Sequence, residues 1–181
     1  MLEVLVTIVI VVFGLLGLAG MQMRIQTAQM ESYQRAQAIV LLSDMVERVN
    51  ANRATAASYV TGTASPLGVG DTQPTSCSSL AMGSARDQCG WSNALKGAAE
   101  QQASVNSGAM IGARGCIEQL QAPDPTVGVC APGMYRVTVV WQGLNETVAP
   151  ALICGQASFY GKATLQRAIS ANVTVGLPLC V

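Results

Sequence analysis

Hydrophobic and polar positions along this chain follow three rhythms in succession. Residues 4–23, VLVTIVIVVFGLLGLAGMQM, form an apolar run without a formal charge, framed by Glu3 and Arg24. As a helix rising about 1.5 Å per residue, this run is roughly 30 Å long, which matches the hydrocarbon core of a bilayer. It can span a membrane. The front is acidic rather than basic and the run leads straight into a helical pattern, so a retained anchor is expected rather than a cleaved signal peptide.

Beyond Arg24 the continuous run gives way to a stripe, with Ile25, Ala28, Tyr33, Ala36, Ile39, Val40, Val46 and Val49 recurring mostly at three- and four-residue steps. Glu31 with Arg35 and Asp44 with Arg48 are acid-before-base pairs at helical spacing, each worth about 0.2–0.5 kcal/mol on a helix surface. No Pro or Gly interrupts residues 21–53. One helix of roughly 80 Å is therefore expected over 1–53. Its first part, 1–24, suits lipid or other helices, and its second part, 25–53, suits a globular partner.

The third rhythm belongs to a head, 54–181. It opens on a connector rich in Gly, Ser, Thr and Pro, 61–76, and a short helix is expected near 87–101 with Asp87 or Ser92 as cap. In MYRVTVVWQG (134–143), Tyr135, Val137, Val139 and Trp141 alternate with Arg136, Thr138, Val140 and Gln142. RAISANVTV (167–175) places Ile169, Ala171, Val173 and Val175 on one face, and ARGCIEQLQ (113–121) is a weaker strand pattern. Three strands with Gly/Pro-bearing connections predict an antiparallel sheet whose apolar face the striped half of the helix covers. The expected class is α+β, a long N-terminal helix on a small sheet.

Composition narrows the function. The 181 residues contain no His, which removes His-based nucleophile arrangements and His-ligated metal. Ten basic residues balance ten acidic ones, so there is no basic footprint for a nucleic-acid partner. Half of the residues are apolar, only 11% are charged, and mean hydropathy is +0.38, an excess that the leading run explains. All six cysteines, Cys77, Cys89, Cys116, Cys130, Cys154 and Cys180, lie in the head. An even count on one side of a span predicts disulfides and a head in an oxidising compartment. Many pairings are open. Sequential pairing is the expectation, Cys77 with Cys89, Cys116 with Cys130 and Cys154 with Cys180. A loop of about 15 residues contributes roughly 3 kcal/mol in the chain-entropy model. A metal site is disfavoured by the absence of CxxC and His, and no cofactor is implied.

The front LEVLVTIVIVVFGLLGLAG (2–20) resembles type IV pilins and related pseudopilins, whose mature chains open with an aromatic residue, Thr, two apolar residues and Glu. RAQAIVLLSDMVERVNANR (35–53), YRVTVVWQG (135–143) and the late cysteines resemble the PilV group of minor pilins, the type IV pilus modification proteins. The chain shows neither the basic leader, nor the Gly of the cleavage site, nor the aromatic-Thr pair of that pattern, so a mature chain starting a couple of residues in is expected. The resemblance implies a non-enzymatic subunit of the inner membrane, single-pass with its head in the periplasm, that passes into an extracellular pilus. There it would help initiate assembly or join a tip complex. Implied partners are other minor pilins, the major pilin, membrane lipid before assembly, the prepilin peptidase that cleaves and methylates, and the inner-membrane assembly platform.

Glu3 is the sharpest site. A carboxylate at the edge of an apolar helix is costly to bury without a cation, which makes it a functional candidate, while a place in the headgroup layer costs little. The resemblance implies that it pairs with the N-terminal amine of a neighbouring subunit. Gly14, Gly17 and Gly20 offer close helix approach or flexibility, although Gly is common in membrane helices. Trp91, Trp141, Tyr135 and Tyr160 are expected in the core, and Asp71, Asp87, Asp124 and Glu146 on a solvated surface. Two rival functions are a pseudopilin of a type II secretion system and a membrane-tethered periplasmic enzyme or binding protein.

Overall fold

The computed structural model describes residues 2–98, 101–102, 105–106, 108, 110–155 and 160–177. Helix α1 (Leu2–Ala51) is unbroken through the apolar run and the stripe, as the lack of Pro and the favourable apolar and charged residues dictate. A 3-10 segment (Arg53–Tyr59) turns the chain into the head. There follow β1 (Leu67–Gly68), α2 (Ser84–Leu95), β2 (Gln101–Gln102), β3 (Val105–Asn106), β4 (Ile111–Gln121), β5 (Gly133–Gln142) and β6 (Gln166–Val175). Strands β1, β4, β5 and β6 make one antiparallel sheet in that order, and β2 with β3 make a small separate ribbon. The architecture is α+β, a long apolar helix packed on a small antiparallel sheet.

Register explains the core. Tyr135, Val137, Val139 and Trp141 share the face of β5 that meets α1, joined by Ile117 from β4 and Val173 and Val175 from β6. From α1 come Ala38, Leu42, Met45 and Val49, one turn apart and buried. Each large apolar side chain so buried contributes about 1.5–3 kcal/mol. The buried stripe differs from the expected one. Of the anticipated positions only Val49 is fully buried, while Ile25, Tyr33, Ile39 and Val40 remain about half or more exposed. The inward stripe is offset and includes Gln34, 1% exposed, which a hydrophobicity pattern passes over.

The other face of the sheet is also covered. Val140 and Thr138 are fully buried there, with Cys116, Cys154 and Tyr160. The cause is covalent: Cys116 is bonded to Cys154, which folds the chain after β5 back over β4. The expected pairings of Cys116 with Cys130 and of Cys154 with Cys180 are thereby corrected. The pairing of Cys116 with Cys130 does not form because Cys116 lies in the middle of β4, whereas Cys130 lies in the loop beyond its end. Cys77 is bonded to Cys89. Cys130 is disulfide-bonded as well. Cys180 lies outside the described residues.

Two further expectations shift. The helix expected over 87–101 is Ser84–Leu95, with Gly83 as cap, so Asp87 sits in its first turn and Ser92 in its interior. It stops because Gly97 adopts φ +80° and the amide of Ala98 donates back to the carbonyl of Asn93, a Schellman-type ending. The connector 61–76 carries a short edge strand, β1, paired with β4.

Candidate assembly surface

Helix α1 presents two different surfaces. From Leu2 to Met23 its large apolar side chains are exposed on every side, from Val12 at 47% to Leu2 at 78%. Among the described residues this is the one helix long and apolar enough to cross a membrane. Glu3 lies exposed in its first turn, where the partial positive charge of the helix N-terminus favours a carboxylate. Gly14, Gly17 and Gly20 are helical, and a Cβ added at any of them would meet nothing within 4 Å. Among the described residues, packing places no demand for Gly at these positions.

From Glu31 onward the helix is held by the head. The indole N–H of Trp91 donates to the carbonyl of Leu41, in the C-terminal part of α1, at 2.8 Å. Gly115 on β4 makes this possible, since a Cβ there would stand 2.0 Å from the Trp91 ring. Near the end of α1, Arg48 bridges Asp44 and Asp87 at 3.0 Å each, and Asp87 also accepts from the Tyr59 hydroxyl. Burial, and then the Asp87 carboxylate, push the Tyr59 hydroxyl well above its ordinary pKa, so it stays a donor.

At the opposite end of the sheet, Glu31 ties the head to the helix. Its Oε1 accepts from the backbone amides of Leu144 (3.2 Å) and Asn145 (3.1 Å) and from the Arg167 guanidinium (3.3 Å). The helical pair expected with Arg35 gives way to these contacts across more than a hundred residues. Asp44 and Arg48 do pair as their spacing predicts.

Two acids expected on a solvated surface are structural instead. The Asp71 side chain is only 8% exposed and is paired with Lys96. It also accepts from Ser92 at 2.6 Å and from the amides of Gly68 and Gln73. Burial opposes its ionisation, but these donors outweigh that effect and hold its carboxyl below the ordinary range. Asp87 is the second, through Arg48 and Tyr59. Glu146 lies at the surface in an exposed pair with Lys162, and Asp124 keeps to the expected surface too. Trp91, Trp141, Tyr135 and Tyr160 are all buried. Gly115 and Arg167 had no distinguishing sequence signal, and the signal at Glu31 pointed to Arg35, because each acts through a partner remote in sequence.

A comparison with family models matches residues 20–89 to one described as Tt1218-like, type IV pilin Tt1218. No curated protein and no solved structure matches. The matched segment covers the second part of α1, the turn into the head and the first half of α2, the very elements that join rod to head. The match is a likeness to type IV pilins over 70 of the 181 residues. It does not distinguish the PilV group among them.

Proposed function

We propose that this chain is a minor pilin: a structural subunit that sits first in the bacterial inner membrane, single-pass with its head in the periplasm, and then enters type IV pili. There it serves in the complex that primes assembly or caps the tip. The observation that carries the reading is the division of α1. One unbroken helix is gripped by the head from Glu31 to Val49, yet leaves the apolar rod 2–23 uncovered on all sides. Such a rod is stable in lipid or among similar rods, and a polymer core of helices exchanges one environment for the other. The exposed Ile25, Tyr33, Ile39 and Val40 extend the same uncovered surface past the span.

In this reading Glu3 meets the N-terminal amine of a neighbouring subunit and sets axial register, because a carboxylate entering an apolar core needs a compensating cation. Gly14, Gly17 and Gly20 give that neighbour a groove for close approach. The partners are other minor pilins, the major pilin, the prepilin peptidase that cleaves and methylates, and the assembly platform of the inner membrane. The test is to shear filaments from cells and probe them for this chain, with and without the other minor subunits. The expected result is a sub-stoichiometric band that falls when a companion minor subunit is deleted and disappears with Glu3→Ala, while the head keeps its disulfides. Wild-type levels of Glu3→Ala in purified filaments would refute the role of Glu3. Recovery of the chain solely with a secretion-system periplasmic piston would assign it to the pseudopilins.

A further inference from the structure

The head exposes an apolar loop at the end where the rod emerges. Strand β5 runs from the turn region near Tyr59 back toward the anchor, since Gly133 and Tyr135 line a cleft with Ala56 and Ala57, whereas Trp141 and Gly143 line one with Ala28 and Glu31. The chain leaving β5 is therefore delivered to the anchor side. Asn145 lines a cleft of about 510 Å³ with Gly20, Met23, Arg24 and Thr27, which sets the loop at the level of the last residues of the span. Glu31, which holds the amides of Leu144 and Asn145, lies only about 12 Å along the helix axis from Met23 at 1.5 Å per residue.

The chemistry of the loop fits that level. Residues 147–153 read TVAPALI, without a formal charge, and Val148 is 91% and Ile153 74% exposed. Glu146, just before them, is neutralised by Lys162 at 2.6 Å. The stem is firmly tied: the amide of Thr147 donates to the carbonyl of Thr164 at 2.8 Å, Arg167 donates to the carbonyl of Asn145 at 2.6 Å, and Cys154 is bonded to Cys116. Apolar side chains are thus held outward on a fastened loop beside a membrane span. We propose that residues 147–153 are a second membrane contact, seating Val148 and Ile153 in the phospholipid interface and setting the tilt of the head over the bilayer. This rests on the membrane-anchored stage of the proposed function. Position decides the assignment. Val127, 82% exposed, is equally apolar but sits in the loop beyond Gln121, at the end of the sheet away from the anchor.

The test uses the full chain reconstituted in two sets of phosphatidylcholine vesicles, one with acyl chains brominated close to the headgroup, which reports on the loop, and one brominated near the chain ends, which reports on position 13. Three single variants report depth, Val148→Trp, Val127→Trp and Phe13→Trp, over the constant background of the buried Trp91 and Trp141. An interfacial apolar segment lies about 5–10 Å into the headgroup and acyl boundary, so Val148→Trp is expected to lose about half of its added emission. Phe13→Trp is expected to be quenched and Val127→Trp to be unaffected. Ile153→Trp provides a second reporter should Val148→Trp fail to form its disulfides. Quenching of Phe13→Trp with Val148→Trp and Ile153→Trp no different from Val127→Trp overturns the loop contact and leaves the anchor standing. Absence of quenching at all positions overturns the anchor and the loop together. Shielding of Val148→Trp that appears only in assembled filaments overturns the lipid assignment in favour of a subunit contact.

Discussion

Replacing Gly115 by Ala tests the joint between head and rod with a single methyl group. The added Cβ would lie 2.0, 2.4 and 2.9 Å from three carbons of the Trp91 indole, where ordinary contact begins near 3.4 Å. The ring has to move by more than an ångström, and it is fully buried between β4 and α1. Overpacking of this kind costs about 1–3 kcal/mol. The same displacement pulls the indole N–H from the carbonyl of Leu41, now 2.8 Å away, and a buried donor left unsatisfied costs a further 1–3 kcal/mol or so. A loss of about 2–6 kcal/mol is expected in urea titrations of the full chain in mild detergent, followed by Trp fluorescence and near-ultraviolet circular dichroism. In a Trp91→Leu background the methyl group has room, so the cost of Gly115→Ala should fall below about 1 kcal/mol, a strong departure from additivity. A penalty within about 0.5 kcal/mol of zero for Gly115→Ala alone, or one of equal size in both backgrounds, would refute the packing described.

Three other outcomes follow from the same contacts. Asp71 titrates lower in the folded chain than the roughly 3.9 of an unfolded Asp, so its contribution is complete above that value and is lost as pH falls through the native one. The stability gap between wild type and Asp71→Asn should accordingly stay constant from neutral pH to about 5 and close below about 4, as read by acid titration of both. Glu31→Ala removes the acceptor shared by two loop amides and Arg167, and should cost about 1–2 kcal/mol while accelerating hydrogen exchange at Leu144 and Asn145; unchanged exchange there would contradict the tie. Peptide mapping without reduction should recover a fragment linking Cys116 to Cys154, and a Cys116 to Cys130 fragment would reverse the connectivity.

What could be read in advance depended on whether the cause was local. The apolar run, the continuous helix and strands β4 to β6 were legible because a run, a lack of breakers and a period of two are properties of neighbouring residues. The alternation of Tyr135, Val137, Val139 and Trp141 named the inner face of β5 correctly. Burial of Val140 on the outer face was not legible, because it follows from a disulfide between residues 38 apart in sequence. The inward stripe of α1 was misjudged for a related reason. With apolar side chains on several faces, only contact with the head selects Gln34, Ala38, Leu42, Met45 and Val49. Glu31 looked like half of a helical ion pair, and Asp71 like a surface acid, until Arg167 and Lys96 were brought beside them. Gly14, Gly17 and Gly20 stand out in the sequence, and among the described residues no side chain or backbone presses on them.

The central claim, that the uncovered rod exchanges lipid for neighbouring rods, is tested most directly by photo-crosslinking in cells from position 13, where Phe13 is 69% exposed in the middle of the run. A photoreactive residue there should give adducts to other pilin-class subunits in sheared filaments and mainly lipid adducts in the membrane fraction. Lipid adducts alone, with the chain absent from filaments of assembly-competent cells, would contradict the account.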